Sequence, residues 1–237
     1  MLARSFSLIA VAAFVATLTA DSTTFADNWP GWRGPTSDGV AADGTYPTQW
    51  STTENVAWKV KLNGRGASTP IVWDDNIFLT LGRDGMNILL CLGRDGQQKW
   101  EVEIGSEIAG KHKKASGSNP SCVTDGKRVY AYFKSGDFAA VSMTGQIAWQ
   151  HNVQKMYGED TLWWDLGTSP ILTRDNVIIT VMQTGPSFLA AFNKGSGEAA
   201  WKVDRNLGAP EEAAQAYSTP IVAVVDGQER IYVLGAD

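Results

Sequence analysis

The stretch Ser68-Thr69-Pro70-Ile71-Val72 decides the fold, because its proline recurs at intervals of fifty residues, as Pro120, Pro170 and Pro220. A fixed period of about 20 to 50 residues is the sequence signature of a repeat architecture. The 237-residue chain is therefore predicted to consist of copies of one structural unit. A small hydroxyl residue also stands two places before each proline. These residues are Ser68, Ser118, Thr168 and Ser218.

Each unit reads as two successive hairpins. In the first unit, Ile71-Val72-Trp73 predicts a short strand, Asp74-Asp75-Asn76 predicts a turn, and Ile77-Phe78-Leu79 predicts the returning strand. A second hairpin with a Gly-containing turn follows and ends in a tryptophan 29 to 31 residues after the proline. The pattern predicts a four-stranded antiparallel meander whose last strand carries that tryptophan. The terminal tryptophans are Trp100, Trp149 and Trp201.

Such a sheet cannot bury both of its faces alone, so the copies must stack face to face. The number of strands per unit favours blades around a central axis over a linear solenoid, and we predict an all-β β-propeller. Trp58, within residues 56–60, resembles the fourth strand of a unit whose other strands do not precede it, and Asp237 follows only two strands of the fourth unit. We expect about three and a half blades plus an N-terminal closing strand. The missing blades would come from the remainder of a longer chain or from a second copy.

The N-terminus predicts an export signal. Arg4 precedes an apolar run over residues 6–18, and Thr24-Phe25-Ala26 suits cleavage before Asp27. The division expected is a signal peptide at 1–26, a lead-in segment at 27–55 and incomplete propeller repeats at 56–237. The protein would then be secreted or periplasmic, with no transmembrane span in the mature chain. The alternative is an uncleaved anchor, for which the apolar run is shorter than the ~20 residues of a span.

Charge and cysteine content exclude some classes of function. With 20 basic and 25 acidic residues the chain has a net charge of −5, which gives no electrostatic reason to expect binding of nucleic acid. Cys91 and Cys122, the two cysteines of the sequence, form one disulfide in an oxidising compartment or remain as two buried thiols. Neither alternative makes them catalytic, since a thiol nucleophile needs a nearby base and only His112 and His151 are available.

Candidate binding residues lie in the segments between each terminal tryptophan and the next proline, which should cluster on one face of the ring. Lys111-His112-Lys113 is a candidate for binding an anionic group, with a solvated basic loop as the alternative. Trp163 and Trp164 beside Asp165 are candidates for stacking a planar ligand or a sugar. Because successive side chains of a strand face opposite ways, one of these two tryptophans is expected to pack within a blade.

Three further residues complete the candidate ligand-binding set. Glu211 and Tyr217 lie in the third long loop, and Arg65 lies in the short Gly64-Arg65-Gly66 connection. No catalytic residue is assigned and no metal site is expected. The Asp-Asn and Asp-Gly pairs lack the acidic spacing of an EF-hand and are explained as hairpin turns. The sequence also contains no Gly-x-Ser-x-Gly, phosphate-loop, dinucleotide or zinc motif.

The repeated Ser/Thr-x-Pro-Ile-Val phrase, with its Asp-Asn or Asp-Gly turn, Gly-rich turn and terminal Trp, resembles the pyrroloquinoline-quinone (PQQ) type propeller repeat over about residues 56–237. The segment Trp29-Pro30-Gly31-Trp32-Arg33-Gly34-Pro35 is similar to the lead-in of secreted bacterial propellers of the PQQ-like, or BamB-like, type. The resemblance implies an eight-bladed ring when complete.

The resemblance implies two functions. BamB-like proteins use these blades as an extracytoplasmic binding scaffold, whereas quinoprotein dehydrogenases oxidise alcohols or sugars with PQQ and calcium. The dehydrogenases carry adjacent cysteines and a Glu, Asn and Asp calcium set, and this sequence has no adjacent cysteines. We expect a scaffold without an assigned cofactor that binds a protein or a small-molecule or glycan ligand. The alternatives are a PQQ-dependent dehydrogenase with calcium and a carbohydrate-binding propeller.

Overall fold

The computed structural model describes residues 28–206 and 208–235. The predicted signal peptide at 1–26 and its cleavage point lie outside these residues. In the described part, strands form three four-stranded sheets and one two-stranded sheet. Each sheet is hydrogen-bonded in chain order, and every pairing is antiparallel. The predicted all-β architecture of partial propeller blades is confirmed.

The strands are grouped here as blades 1 to 4. Blade 1 contains β1 (Ile71–Trp73), β2 (Asn76–Arg83), β3 (Met86–Gly93) and β4 (Gln98–Ser106). Blade 2 contains β5 (Val123–Thr124), β6 (Arg128–Tyr132), β7 (Asp137–Ser142) and β8 (Ile147–Asn152), and is followed by the short helix α1 (Val153–Tyr157). Blade 3 contains β9 (Ile171–Leu172), β10 (Asn176–Val181), β11 (Phe188–Asn193) and β12 (Ala199–Asp204), and blade 4 contains β13 (Ile221–Val225) and β14 (Gln228–Tyr232).

The middle strands of blade 2 bury both of their faces. Val129 and Ala131 of β6 pack in the apolar cluster shared with blade 1, whereas Tyr130 and Tyr132 pack in the cluster shared with blade 3. Alternate side chains of a strand point to opposite faces of its sheet, so one strand supplies both interfaces. This explains why the sequence of the inner strands is almost continuously apolar rather than alternating.

The terminal tryptophans of blades 1 and 2 each dock on a glycine turn of the next blade. The Trp100 indole of β4 lies against Gly145, where an added Cβ would come within 3.0 Å of the ring, and its Nε1 donates to the Met143 carbonyl at 3.0 Å. Gly145 has a φ of 86°, in the region that favours glycine. The turn geometry and the space for the indole therefore both require glycine at position 145. The tryptophan and glycine pairs are Trp58 with Gly96, Trp100 with Gly145 and Trp149 with Gly197.

Trp58 makes this contact without belonging to a strand. Its indole lies over Gly96 and its Nε1 donates to the Arg94 carbonyl, as the tryptophans of complete blades do. Residues 56–60 are not paired as a strand in the described structure, so the N-terminal closing strand stays a prediction. An outer strand needs the third strand of its own blade as a hydrogen-bonding partner, and no described strand lies beside this segment.

A chain of hydrogen bonds links the starts of the inner strands. The backbone N–H of Thr69 donates to Ser121 Oγ at 2.8 Å, that of Ser121 to Ser169 Oγ at 2.9 Å, and that of Ser169 to Thr219 Oγ1 at 3.0 Å. The hydroxyl groups that join the blades thus stand immediately beside the prolines. Ser68, two places before its proline, bonds within its own blade instead.

The lead-in segment lies along the inner strands. Trp29 exchanges two backbone hydrogen bonds with Val72, at 2.8 and 2.9 Å, and the Pro30 carbonyl accepts from the N–H of Thr124 at 2.8 Å. Gly34 has a φ of 76° and lies against the Trp29 ring, where a Cβ would come within 2.8 Å. This segment therefore bridges blades 1 and 2 at the axis, a role that the repeat pattern does not reveal.

Cys91 and Cys122 are free buried thiols in the cluster between blades 1 and 2. Of the two alternatives, the buried thiols are correct and the disulfide is wrong. Burial raises the pKa of Cys91 to about 11 and that of Cys122 to about 12. Both are therefore protonated at neutral pH and do not act as nucleophiles.

Replacing Trp149 by alanine should lower the free energy of unfolding by about 3 to 5 kcal/mol, because it empties a buried site between blades 2 and 3. Urea denaturation measures the loss. The matched control is Trp164→Ala, whose side chain is 63% exposed, so its expected change is within about 0.5 kcal/mol. Equal losses in the two variants would contradict the role given to the blade contact.

Thiol titration checks the state of the cysteines. Unreduced protein should give two reactive thiols per chain after denaturation, and slow reaction before it, because both side chains are buried. A denatured, unreduced sample with no reactive thiol would show that a disulfide forms.

Candidate ligand-binding face

The loops that precede the inner strands of blades 2, 3 and 4 contact one another. The backbone N–H of Lys111, in the first loop, donates to both carboxylate oxygens of Asp165 in the second, each at 2.9 Å. The N–H of Trp164, also in the second loop, donates to the hydroxyl of Tyr217 in the third at 3.1 Å. The structure thus brings four of the sequence-predicted residues together on one face, which we call the loop face.

A buried ion pair holds the centre of the loop face. Lys134 Nζ lies 2.6 Å from Asp165 Oδ1, and the two side chains are 4% and 5% exposed. Lys134 also donates to the Ala109 carbonyl at 2.9 Å. Burial alone would raise the pKa of Asp165, but hydrogen bonds from Lys134 and from the backbone N–H of Lys111 outweigh it and hold the pKa below its usual range. Asp165 therefore stays ionised, and the pair ties blade 2 to both of its flanking loops.

Sequence reasoning missed Lys134. It follows the buried β6 strand in a stretch whose other residues read as ordinary blade core, and nothing in its sequence position indicates a partner 31 residues away. A charged residue at the end of an apolar strand is the only available signal, since a buried lysine needs a counter-ion.

Both Trp163 and Trp164 are exposed, by 46% and 63%. The expectation that one of them packs within a blade is therefore wrong. The two residues form a bend rather than a strand, so side-chain alternation does not apply. Leu162 and Leu166, which are buried, anchor the loop in their place.

A cleft opens at one edge of the loop face. It has a volume of about 610 Å³ and lies between residues 63–65, 82–84 and 107–116. Its lining includes Arg65 and the basic sequence Lys111-His112-Lys113, which are far apart in the chain. Both basic candidates from the sequence therefore belong to one cleft.

The Gly64-Arg65-Gly66 sequence fixes Arg65 at this cleft. The Arg65 backbone exchanges two hydrogen bonds with Gly82 of β2, at 2.8 and 2.7 Å. A Cβ on Gly64 would lie 2.5 Å from a Leu81 methyl group, and one on Gly66 would lie 2.4 Å from the Thr80 carbonyl. The flanking glycines are thus needed because the chain passes directly against the strand.

Glu211 contributes less than expected. Its side chain is exposed, and its backbone carbonyl accepts a long hydrogen bond of 3.4 Å from Thr184 Oγ1. The carboxylate makes no contact with the Lys111, Asp165 and Tyr217 network in the part of the chain that the structure describes. The structure therefore brings Tyr217 to the centre of the loop face and leaves Glu211 beside it.

Metal and membrane features can be stated for residues 28–206 and 208–235. Within these ranges no group of three or more His, Cys, Asp or Glu side chains is placed to hold a metal ion. Across the same ranges, no helix has the length and apolarity needed to cross a membrane.

Four-stranded meanders stacked around an axis, with their connecting loops in contact on one face, define a β-propeller of the PQQ-like class. The family model described as outer membrane protein assembly factor BamB matches residues 37–189. This match covers more than half of the 237 residues, and the chain belongs to this family. A comparison with curated protein sequences gives no match.

Solved structures show the same fold. The chain is similar to the quinohemoprotein alcohol dehydrogenase from Comamonas testosteroni, with a TM-score of 0.52 and 16% identity over 75% of this chain and 27% of that one. It is also similar to the quinohemoprotein alcohol dehydrogenase ADHIIG from Pseudomonas putida HK5, with a TM-score of 0.48 and 20% identity over 62% and 22% of the chains. It is also similar to BamB from Moraxella catarrhalis, with a TM-score of 0.40 and 19% identity over 68% of this chain and 40% of that one. The chain thus spans 22% to 40% of the length of these structures.

Replacing Asp165 by asparagine should lower the free energy of unfolding by about 3 to 5 kcal/mol, because it leaves the Lys134 charge buried without its partner. The folded-state pKa of Asp165 lies below the unfolded value. The loss is therefore fully present above about pH 4 and shrinks as the pH falls through the folded-state pKa.

Denaturant melts of both proteins across this pH range measure the effect. Asp204→Asn is the control, since Asp204 forms an ion pair with Lys202 but is 75% exposed, and a surface pair contributes at most about 1 kcal/mol. A difference at Asp165 that did not vary with pH would contradict the ionic role.

Proposed function

We propose that the protein is an extracytoplasmic β-propeller scaffold that binds a protein or small-molecule partner through the loop face. The observation that carries the proposal is the exposure of Trp163 and Trp164 on loops held in place by the buried Lys134–Asp165 pair. Aromatic side chains are enriched at binding sites because they contribute a large contact area at low cost in conformational entropy. Two exposed indoles on a loop that is held in place fit the binding of a partner better than packing in the protein core.

Two observations support an extracytoplasmic location. The family is described by its role in outer membrane protein assembly. The sequence of residues 1–26 also has the order of an export signal, with a basic residue, an apolar run and a small-residue cleavage site. We expect the mature protein to begin at Asp27, which N-terminal sequencing of protein from the extracytoplasmic fraction would check.

The loop face does not require a redox cofactor for this function. The purified protein is supplied with PQQ and Ca²⁺ and assayed for dye reduction that depends on an alcohol or a sugar. Such reduction would show that the dehydrogenase alternative is correct and the scaffold proposal is wrong. Binding without dye reduction supports the scaffold.

Hydroxyl-radical footprinting tests the proposal in the cell envelope. Compared with purified protein, envelope-associated protein should show reduced oxidation of Trp163 and Trp164, because a bound partner shields their rings. Trp50 is the internal control, since it is 71% exposed and lies outside the loops of the binding face. Equal oxidation of all three residues in the two samples would overturn the proposal.

A further inference from the structure

We infer that the cleft beside the loop face binds an acidic glycan, that is, an oligosaccharide that contains uronate sugars. The inference rests on the proposed function and specifies the chemistry of its ligand. Three features carry it: two cations and two carboxylates of the cleft whose side chains form no ion pair or hydrogen bond with residues 28–206 or 208–235, and the exposed indoles of the adjoining loop.

The cations are Arg65 and Lys113. Neither side chain makes an ion pair or a hydrogen bond with residues 28–206 or 208–235. The backbone of Arg65 is nevertheless fixed against β2 by its two hydrogen bonds to Gly82. An arginine held in this way offers a planar fork of donors that matches a carboxylate. One anionic group of the ligand is therefore expected between Arg65 and Lys113.

His112 adds a neutral donor. Its Nδ1 accepts a hydrogen bond from the backbone N–H of Lys114 at 3.2 Å. A neutral imidazole that accepts at Nδ1 carries its proton on Nε2. The cleft thus presents a polar N–H group next to its cations, which suits a sugar hydroxyl or a carboxylate oxygen.

The carboxylates are Asp84 and Glu107, which also line the cleft. In the described part of the chain neither forms an ion pair or a side-chain hydrogen bond. A polyphosphate carries charged oxygens throughout and no hydroxyl groups, so these carboxylates would repel it. Carboxylates accept hydrogen bonds, so they suit the hydroxyl groups of a sugar. Each sugar of an oligouronate carries one carboxylate and several hydroxyl groups, so one ligand can place a carboxylate at Arg65 and hydroxyl groups at Asp84 and Glu107.

Trp163 and Trp164 lie in the loop that adjoins the cleft. The backbone N–H of Lys111, at the edge of the cleft, donates to the carboxylate of Asp165, the residue that follows Trp164. The cleft and the aromatic loop are therefore fixed to each other. The exposed rings provide flat apolar faces for the C–H face of a sugar ring. The cleft volume of about 610 Å³ also falls within the usual range for ligand sites.

Isothermal titration with trigalacturonate, the neutral cellotriose and inorganic phosphate tests the inference on the whole protein. We expect trigalacturonate to bind at least about tenfold more tightly than either of the others, a difference that corresponds to about 1.4 kcal/mol. Arg65→Gln should weaken trigalacturonate binding by about tenfold or more. It should not change the urea midpoint, because the backbone bonds to Gly82 remain.

Arg230→Gln is the matched control, because Arg230 is an exposed arginine on β14 of blade 4. It should leave trigalacturonate binding unchanged. Equal affinities for trigalacturonate and phosphate would show a simple anion site and overturn the inference, as would preference for cellotriose or no binding of trigalacturonate. If trigalacturonate fails to bind while Trp163 and Trp164 remain shielded in the envelope, the glycan assignment alone is wrong. If the shielding is also absent, the proposed function fails.

Discussion

The close contact between an indole and a glycine turn of the next blade is the constraint on which the rest of the structure depends. At Gly145 and Gly197 the same residue must adopt a positive φ and leave room for a tryptophan ring, so a side chain at either position would disturb both the hairpin and the interface. The contact fixes each sheet in one position against its neighbour. Because the sheets are fixed, the loops that connect them reach the same face, where Asp165 can contact a backbone group of another loop.

The loop face is held together by a different kind of interaction from the blades. Between the blades, apolar side chains and aromatic rings fill the space, and many substitutions of similar volume would preserve that packing. At the loop face the buried Lys134–Asp165 pair requires one particular arrangement, since each charge loses its compensation when the other moves. The ion pair selects one arrangement of the loops, whereas the apolar core between the blades supplies stability. This division explains how exposed tryptophans can remain on long loops without a strand or a helix to hold them.

The sequence allowed the blades to be predicted because each of their signals is local. A proline at a strand start, a polar turn and a terminal tryptophan recur at a fixed spacing, and each has a direct conformational reason. The candidate site could be predicted only in part. Lys111, Asp165 and Tyr217, which the sequence marks as candidates, lie together in the structure, but the pairing with Lys134 depends on how two blades stack, which no local pattern encodes. For the same reason the exposure of Trp163 was not predicted, because the alternation rule holds for strands and this residue lies in a bend.

The hydroxyl bonds near the axis have a consequence for how such a chain can change in length. In every step from Thr69 to Ser121, Ser169 and Thr219, a backbone N–H of one blade donates to a hydroxyl of the following blade. The series has a direction, and blades 2 and 3 each donate one of these bonds and accept another. Duplication or loss of one whole unit therefore regenerates an equivalent junction, whereas an insertion of any other length within a unit breaks the succession. The number of blades can thus change by recombination of whole repeats without loss of the hydrogen bonds between neighbouring blades.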